Sequence, residues 1–357
     1  MADTLLFYVS GHGFGHAVRC ALVIEAALAM APNTRVVVRS SAPSWLFPPR
    51  AECDLVDVDV GVVQVDGLRL DEEETLRRVE AYLRGFDDLV EAEVAWAKGQ
   101  GVRCVVGDIP PLAFAVAARL GVPGVGLANF SWDWIYDAYV VARPAQRWIV
   151  ERLRALYGEA TLLLRLPFSG DLSAFPAVED VPLVARPSRI SREEARRRHG
   201  LPADATVVLL SFGGFDYRDI DFDALAKIDE ALFLATSGPS GVPNLRVLGR
   251  ARQYHELVQA ADAVVTKPGY GIVADCLVCR TRVLYTSRGN FPEYPILVDA
   301  LERLAPSLFI PQEDLRAGRL RPYLRRLLAM DRPWQPVRMD GAEVAARRLL
   351  DLARAGR

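Results

Sequence analysis

The sequence predicts an α/β protein with two domains, each built from a parallel sheet whose strands are joined by helices. Short apolar runs of strand length alternate with amphipathic runs of helical length through both halves of the chain. In each half, glycine-rich turns directly follow an apolar run, as they do where a parallel strand passes into a helix. The length of 357 residues suits two hydrophobic cores of roughly 150 residues each. We therefore expect two α/β domains that face each other across a cleft, with the active site in that cleft.

Composition and charge exclude several classes of partner. The formal net charge of −2 provides no basic field, so we expect no nucleic-acid partner. No apolar run approaches the roughly 18 residues of a membrane span, and the first residues lack a secretory pattern. We therefore expect no stable membrane insertion and a cytoplasmic location. The oligomeric state stays open.

The cysteines indicate reduced thiols rather than a disulfide framework or a metal site. Their number is five, which is odd, and they are spread over a chain large enough to fold without disulfides. Cys276 and Cys279 have C-x-x-C spacing, but they fall inside an expected helix and no second pair accompanies them. We therefore expect both thiols to pack in the protein interior.

The first domain, residues 1–166, begins with a strand over 5–9 and a turn over 11–16 in which every second residue is glycine. A helix is expected over residues 17–30. This order places backbone N–H groups and two imidazoles, those of His12 and His16, at the carboxyl edge of a sheet. The glycine spacing is one residue short of the dinucleotide fingerprint G-x-G-x-x-G, and the next strand lacks the acidic residue that would bind a ribose. Hydride transfer with a dinucleotide is therefore disfavoured.

Two later runs of the first domain carry carboxylates. The strictly alternating run 55–60 predicts a strand with one solvated face, which accounts for Asp57 and Asp59 without a metal ion, although the pair has D-x-D spacing. The buried run 102–108 predicts a strand that ends in Asp108, at the same sheet edge as the two imidazoles. Residues 71–98 predict one long or two shorter amphipathic helices.

Residues 129–136 carry four aromatic side chains in a loop and the start of a helix. Such a surface can stack against a sugar or another flat ligand. The same side chains can instead fill a core between the domains, and the sequence leaves both interpretations open. The aromatic residues are Phe130, Trp132, Trp134 and Tyr136.

The second half of the chain repeats the strand-turn-helix order after a predicted linker. Residues 167–187 contain four prolines and no clear periodicity, which is typical of a linker. In the second domain, residues 188–340, a strand over 205–211 passes into a glycine turn at 212–214. The final helix, 341–357, is expected to pack back on the N-terminal domain.

A further glycine turn indicates an anion site in the second domain. A strand over 263–266 meets Lys267-Pro-Gly-Tyr-Gly271 and then a helix, so phosphate oxygens can rest on N–H groups at the positive end of that helix. Asp275 follows about one helical turn later, within reach of sugar hydroxyls. Because Lys267 precedes its glycines, the P-loop pattern is absent and ATP hydrolysis is disfavoured.

Three stretches carry a family resemblance: Tyr8–Arg19, Lys267–Gly271 and Arg288–Glu293. Over nearly its full length the chain resembles GT-B glycosyltransferases, whose two domains are Rossmann-like, and its second half resembles the nucleotide-sugar-binding half of the MurG-like and UDP-glycosyltransferase families. The three stretches are similar to the glycosyltransferase-like N-terminal region of plant arabinokinases and its stand-alone bacterial relatives. The kinase motifs of those arabinokinases are missing from this sequence, so the resemblance implies no kinase activity.

The resemblance implies inverting transfer of a sugar from a nucleotide-sugar donor of the UDP type to a small-molecule or lipid-linked acceptor. It implies a histidine base, His16 or His12, with Asp108 orienting the ring, and it requires neither a metal ion nor a cofactor. On the acceptor side it implies Gly13, Phe14, Gly15, Phe130, Trp132 and Trp134. At the donor nucleotide and its pyrophosphate it implies Ser211, Gly213, Gly214, Lys267, Gly269, Tyr270, Gly271 and Asp275, and at the donor sugar Asn290 and Glu293.

Two other functions stay open on the sequence. A sugar-nucleotide epimerase or hydrolase on the same fold would consume its substrate without an acceptor. A non-catalytic sugar-nucleotide-binding module would bind a nucleoside diphosphate without turnover, since the plant relatives carry this region beside a separate catalytic domain.

Overall fold

The computed structural model describes residues 3–66, 68–186, 188–212, 220–249 and 254–355. The chain divides into two compact units, and each is organised around a parallel sheet. The first unit comprises Met1–Val63, Leu70–Val184 and Arg338–Arg357, and the second comprises Gln64–Arg69 and Ala185–Val337. Most of the predicted linker, residues 167–184, therefore lies within the first unit.

Helices and strands alternate along the first half of the chain, as the sequence predicts. In chain order they are β1 (Thr4–Val9), α1 (Phe14–Met30), β2 (Arg35–Ser40), β3 (Glu52–Leu55), β4 (Val63–Gln64), β5 (Leu70–Asp71), α2 (Glu72–Arg84), α3 (Phe86–Ala97), β6 (Val102–Asp108), α4 (Leu112–Leu120), β7 (Gly124–Ala128), α5 (Trp132–Val140), α6 (Arg147–Tyr157), β8 (Leu162–Arg165) and β9 (Val178–Asp180).

The second half continues the alternation. Its elements are α7 (Arg192–Arg198), β10 (Thr206–Ser211), α8 (Phe222–Leu225), β11 (Ala231–Ala235), β12 (Leu245–Val247), α9 (Tyr254–Ala260), β13 (Ala263–Thr266), α10 (Tyr270–Cys279), β14 (Arg282–Tyr285), α11 (Glu293–Leu304), β15 (Ser307–Phe309), α12 (Gln312–Arg316), α13 (Arg321–Leu328) and α14 (Gly341–Ala355).

The sheet of the first unit has seven strands in the order β3-β2-β1-β6-β7-β8-β9, and neighbouring strands run parallel. β1 is fully buried near the middle of this sheet, as its unbroken apolar run predicts. The register pairs Val9, the last residue of β1, with Asp108, the last residue of β6. The segments that follow these two strands therefore begin side by side at one sheet edge.

Several element boundaries in the first unit differ from those predicted. α1 begins at Phe14 instead of residue 17, and the run 71–98 forms two helices that meet at Gly85. The predicted linker contributes the exposed edge strand β9. α14 packs against α1 and β6 of the same unit.

The predicted strand over 55–60 is wrong, because β3 ends at Leu55. The N–H of Val56 donates to the carbonyl of Ser40 at 3.0 Å, and the chain then leaves the sheet as a loop over residues 56–62. The hydroxyl of Tyr82 donates to the carbonyl of Val58 at 2.9 Å and so anchors this loop. The alternation of residues 55–60 thus belongs to a loop, and not to a ladder of backbone hydrogen bonds.

The sheet of the second unit has six parallel strands in the order β12-β11-β10-β13-β14-β15. Its core includes buried apolar residues of β10, β11, β13, β14 and α13. β10 and β13 are neighbours, and their register pairs Ser211 with Thr266. Since both strands end there, the segments that begin at residues 212 and 267 leave the sheet at the same edge.

Candidate active site

The first site feature is the glycine turn between β1 and α1. Gly13 is the N-cap of α1 and has a φ of 78°, a left-handed conformation that favours glycine. A Cβ at Gly11 would lie 2.1 Å from the hydroxyl oxygen of Ser41, so only glycine fits there without movement. Because α1 begins at Phe14, His16 stands in its first turn with Gly15 before it.

His16 and Asp108, which the sequence places at one sheet edge, are in direct contact. Nδ1 of His16 lies 2.8 Å from Oδ1 of Asp108, and both side chains are buried. A carboxylate oxygen can only accept, so this contact favours the tautomer with its proton on Nδ1. Nε2 of His16 then has a free lone pair, which is the arrangement of a general base oriented by a carboxylate.

Sequence reasoning missed Arg19 and Cys20, which contact this pair, and Asn129, which contacts Arg19. Nε of Arg19 donates to Oδ2 of Asp108 at 2.6 Å, and Nη2 donates to Oδ1. The thiol of Cys20 donates to Oδ2 at 3.1 Å, and Nη1 of Arg19 donates to Oδ1 of Asn129 at 2.8 Å. His16, Arg19 and Cys20 are spaced i, i+3 and i+4, which places them on one face of α1. This spacing is the sequence feature from which their proximity to Asp108 could have been predicted.

Arg19 dominates the electrostatics of the pair. Burial raises the pKa of Asp108, but the charges of Arg19 and His16 outweigh that effect and lower the pKa to about 2. Nη2 of Arg19 also lies 3.0 Å from Nδ1 of His16. Asp108 is therefore a carboxylate that is ionised at neutral pH and contacts both a guanidinium and an imidazole.

His12 has a different hydrogen-bonding pattern from His16. The backbone N–H of Val62 donates to Nδ1 of His12 at 3.2 Å. A backbone N–H can only donate, so Nδ1 is unprotonated here and a neutral ring carries its proton on Nε2. A Cβ at Gly61 would lie 2.7 Å from the Cβ of His12, which explains why glycine stands beside this ring.

Two of the predicted acceptor-side aromatics pack against the imidazoles. The ring of Trp132 lies 5.6 Å from that of His12 and 6.4 Å from that of His16, and Phe130 lies 5.5 Å from His16. Phe130 and Trp132 are only 3% and 1% exposed, so they are core residues of the first unit. The sequence left ligand stacking and core packing open, and the burial of these two rings favours packing.

The other two acceptor-side aromatics lie elsewhere. Phe14 packs edge-on against Trp45, with ring centroids 5.8 Å apart. Trp134 covers Gly170, where a Cβ would lie 2.5 Å from its ring. Positions 132 and 134 of a helix point in nearly opposite directions, which is why the two tryptophans have different neighbours.

Asp59 is a second carboxylate near the histidines, and the sequence analysis did not place it in the site. Its Oδ2 accepts from Nε1 of Trp132 at 2.8 Å, and its Oδ1 accepts from the hydroxyl of Ser10 at 3.1 Å. The Ser10 hydroxyl oxygen in turn accepts from the N–H of His12 at 3.3 Å. Burial raises the pKa of Asp59. In the described part of the chain, no group of three or more His, Cys, Asp or Glu side chains could hold a metal ion.

The predicted anion site in the second unit contains two buried cations. Gly269 is the N-cap of α10, and Lys267 precedes it with 9% of its surface exposed. Burial, reinforced by the charge of Arg288, lowers the pKa of Lys267 to about 7. Nη1 of Arg288 lies 4.0 Å from where a Cβ of Gly269 would stand. Arg288, which sequence reasoning did not place in the site, is thus part of the cationic cluster.

The predicted donor-sugar residues have different environments. Glu293, the first residue of α11, is 3% exposed, and its Oε2 accepts from Nη1 of Arg288 at 3.0 Å. The Arg288 guanidinium also stacks 3.9 Å from the ring centroid of Phe291. Asn290 is exposed. The structure therefore places Glu293 as the residue that holds the guanidinium of Arg288.

The remaining predicted donor residues that the structure describes belong to β10 and α10. Ser211 ends β10, and its side chain is hydrogen-bonded to Tyr254 at the start of α9. Asp275 lies in α10, where burial raises its pKa to about 7 in spite of the charge of Arg186. Tyr270 and Gly271 form the first turn of α10. Gly213 and Gly214 lie outside the described residues.

Comparison with known proteins bears on the sequence resemblance. No protein-family model matches the chain. The chain is 32% identical over 363 residues to L-arabinokinase of Arabidopsis thaliana, covering 97% of this chain and 34% of that protein. It is 26% identical over 283 residues to an uncharacterized glycosyltransferase of Methanopyrus kandleri, covering 72% of this chain and 78% of that protein. The predicted resemblance to arabinokinases is confirmed, and the chain spans about a third of the length of that relative.

Solved structures match nearly the whole chain. The kitacinnamycin glycotransferase superposes with a TM-score of 0.64 at 15% identity, covering 99% of this chain and 95% of that one. UGT2 of Phytolacca americana gives 0.63 at 13% identity and 99% and 95% coverage, and MurG of Acinetobacter baumannii gives 0.57 at 13% identity and 98% and 100% coverage.

The chain has the GT-B fold, as its sequence predicts. Within the described ranges, no helix is both long and apolar enough to cross a lipid bilayer.

Proposed function

We propose that the protein is a glycosyltransferase that moves a sugar from a nucleoside-diphosphate donor to an acceptor hydroxyl or amine. The observation that carries this proposal is the 2.8 Å contact between Nδ1 of His16 and the carboxylate of Asp108. It leaves Nε2 of His16 able to take a proton, whereas Nδ1 of His12 is occupied by the N–H of Val62. We therefore assign the base to His16 and a hydrogen-bond donor role to His12.

The proposed reaction is a single displacement. The acceptor oxygen attacks the anomeric carbon while its proton passes to Nε2 of His16, and the bond from that carbon to the β-phosphate oxygen breaks. The electron pair of that bond leaves with the nucleoside diphosphate, and the configuration at the anomeric carbon inverts. Asp108 keeps the ring in place and stabilises the imidazolium until its proton passes to water. In this proposal the reaction requires no metal ion and no cofactor.

The second unit supports the donor half of the proposal. Lys267 and Arg288 place positive charge beside the first turn of α10, where Gly269, Tyr270 and Gly271 offer backbone N–H groups. We assign the diphosphate to this cluster and a ribose to Asp275. The structure of Phytolacca americana UGT2 is of a complex with UDP-2-fluoroglucose and pterostilbene. By analogy we propose a UDP-type donor and a small-molecule or lipid-linked acceptor.

One observation favours a second candidate, a module that binds a sugar nucleotide without turning it over. Nη2 of Arg19 lies 3.0 Å from Nδ1 of His16, close enough to donate a hydrogen bond to it. If Nδ1 accepted that bond, Nε2 would carry the ring proton and His16 could not act as a base. The two functions therefore differ in the tautomer of a single histidine.

A binding screen and a variant pair test the proposal. UDP, GDP, dTDP and ADP are compared by thermal shift, where a ligand at 100 times its dissociation constant adds about 2.7 kcal/mol of stability. The nucleotide that binds defines the donors to be assayed, with and without acceptors. His16→Ala should lower kcat by about 10²–10⁴-fold and leave nucleotide affinity within a few-fold, and His199→Ala in the second unit serves as the control.

Each outcome selects one function. Product formed only with an acceptor supports the transferase, and donor consumption without an acceptor identifies an epimerase or hydrolase. Nucleotide binding without turnover across acceptors supports the binding module. Normal turnover by His16→Ala would show that the base is misassigned, and failure of all four nucleotides to bind would overturn the proposal.

A further inference from the structure

A short hairpin from the first half of the chain belongs to the second unit. Residues 64–69 are grouped with that unit, although the residues on either side, Val63 and Leu70, are grouped with the first. The hairpin pairs β4 with β5, and the N–H of Val65 donates to the carbonyl of Arg69 at 2.9 Å. Oδ1 of Asp66 accepts from the N–H groups of Leu68 and Arg69, both at 2.8 Å. Hydrogen bonds within the segment therefore stabilise its turn.

Leu68 anchors this hairpin in the second unit. Its side chain is 2% exposed and belongs to the same core cluster as Leu210 of β10 and Val265 of β13. Those two strands lead into the predicted donor loops, so the hairpin is anchored in the same core that supports the anion site. Burying a leucine side chain stabilises a fold by about 1.5–3 kcal/mol, enough to favour this position of the hairpin.

The hairpin places the side chain of Gln64 next to that of Lys267. Nζ of Lys267 donates to Oε1 of Gln64 at 3.1 Å. Once Oε1 accepts from the lysine, the other end of the amide, Nε2, is a donor attached to the same carbon. Lysine and amide donors thus stand together beside Arg288 and the N-terminus of α10. Grouped donors of this kind suit the oxygens of a phosphate group.

We propose that Gln64 is part of the diphosphate-binding site, where its amide holds Nζ of Lys267 and donates to the same phosphate group. This inference rests on the proposed donor function of the second unit. A neutral amide suits the position because it satisfies the buried ammonium without cancelling its charge. A carboxylate there would form a buried ion pair with Lys267 and would repel the phosphate.

Gln64→Glu tests the inference because it keeps the size of the side chain and replaces the amide donor with a negatively charged acceptor. We expect it to weaken binding of the nucleoside diphosphate by about tenfold or more, since it removes a donor and neutralises a cation. Binding of the corresponding nucleoside, which has no phosphate, should change less than about twofold. The thermal stability of the empty protein should stay equal or rise, because the new carboxylate faces Lys267. Gln335→Glu adds the same charge at an exposed position of the same unit and is the matched control.

Isothermal titration calorimetry with UDP and uridine, or with the pair that the binding screen selects, separates the outcomes. Weaker diphosphate binding with unchanged nucleoside binding and undiminished stability supports the role of Gln64. Diphosphate binding equal to that of the wild type, or an equal loss for diphosphate and nucleoside, overturns it while leaving the donor proposal intact. If the wild-type protein binds no nucleoside diphosphate, the donor function itself fails and the inference fails with it.

Discussion

Replacing Arg19 with methionine tests how the first unit keeps a charged carboxylate in its interior. Asp108 is 0% exposed, and Arg19 donates to both of its oxygens. Methionine is of similar length and apolar, so the variant removes the guanidinium and leaves the carboxylate its contacts with the His16 ring and the Cys20 thiol. Removing one partner of a buried ion pair costs about 3–5 kcal/mol. We expect the free energy of unfolding to fall by that amount at pH 7.

The pH dependence of this loss follows from the pKa of Asp108. In the wild type the pKa falls from an ordinary 3.8 to about 2 on folding, so the stabilisation is complete above about pH 4 and is lost as the pH falls through 2. The shift corresponds to about 2 kcal/mol. In Arg19→Met, burial dominates and raises the pKa of Asp108, so the carboxyl takes up a proton on folding. The difference in the free energy of unfolding between the wild type and Arg19→Met should therefore shrink as the pH falls and vanish near pH 2.

Urea denaturation followed by circular dichroism at pH 7 and pH 4 measures this loss. Arg35→Met is the control, because Arg35 pairs with Glu52 at the surface, where their side chains are 33% and 56% exposed. An exposed pair of this kind contributes less than about 1 kcal/mol. A loss below about 1 kcal/mol for Arg19→Met at pH 7, or a loss that does not change with pH, would refute the electrostatic account of this cluster.

Three further changes have defined expectations. Nucleoside diphosphate affinity should peak near pH 7 and fall about threefold by pH 6 and by pH 8. The reason is that ligand binding needs Lys267 charged and Asp275 ionised, and the pKa of each is about 7 in the empty protein. A calorimetric profile in which affinity rises or falls steadily with pH would contradict this. Gly13→Ala should destabilise the protein by about 1–3 kcal/mol, since φ is 78° and ψ is 168° at that position, a combination that is essentially restricted to glycine. An unchanged melting temperature would be inconsistent with that conformation. Trp132→Phe should cost about 1–3 kcal/mol because a part-buried oxygen of Asp59 loses its donor. The loss of thermal stability should exceed that of Trp148→Phe, at a 38% exposed position.

The sequence predicts those parts of the site that depend on the ends of strands. In a parallel sheet the carboxyl ends of all strands lie at one edge, and this rule alone brings Asp108 toward His16. The same rule places Lys267 beside the end of β10 in the second unit. Both predictions needed only the positions of apolar runs and of the polar residues that follow them. Strand order and the parallel direction then determine the proximity.

The missed residues depend on how elements rotate and where loops bend. Arg19 reaches Asp108 only because α1 begins at Phe14 and turns that face toward β6. Asp59 binds Trp132 because the chain leaves the sheet at residue 56, where the alternating pattern predicts a continued strand. Helix rotation and loop path follow from side-chain packing across the whole unit, and a local pattern does not encode them. The docking of Leu68 in the second unit is of the same kind, because it joins residues far apart in the sequence.

The contact between Cys20 and Asp108 has a use that does not depend on any ligand. The Cys20 side chain is 0% exposed, and burial together with the neighbouring carboxylate raises its pKa well above the ordinary value. Since the thiolate is the reactive form and the side chain is buried, alkylating reagents can modify this cysteine only when the structure around α1 opens. The rate of Cys20 alkylation, followed by mass spectrometry of its peptide, therefore measures how often this part of the folded protein opens. Cys20 can report on the active site because its thiol is hydrogen-bonded to Asp108, the residue that orients His16.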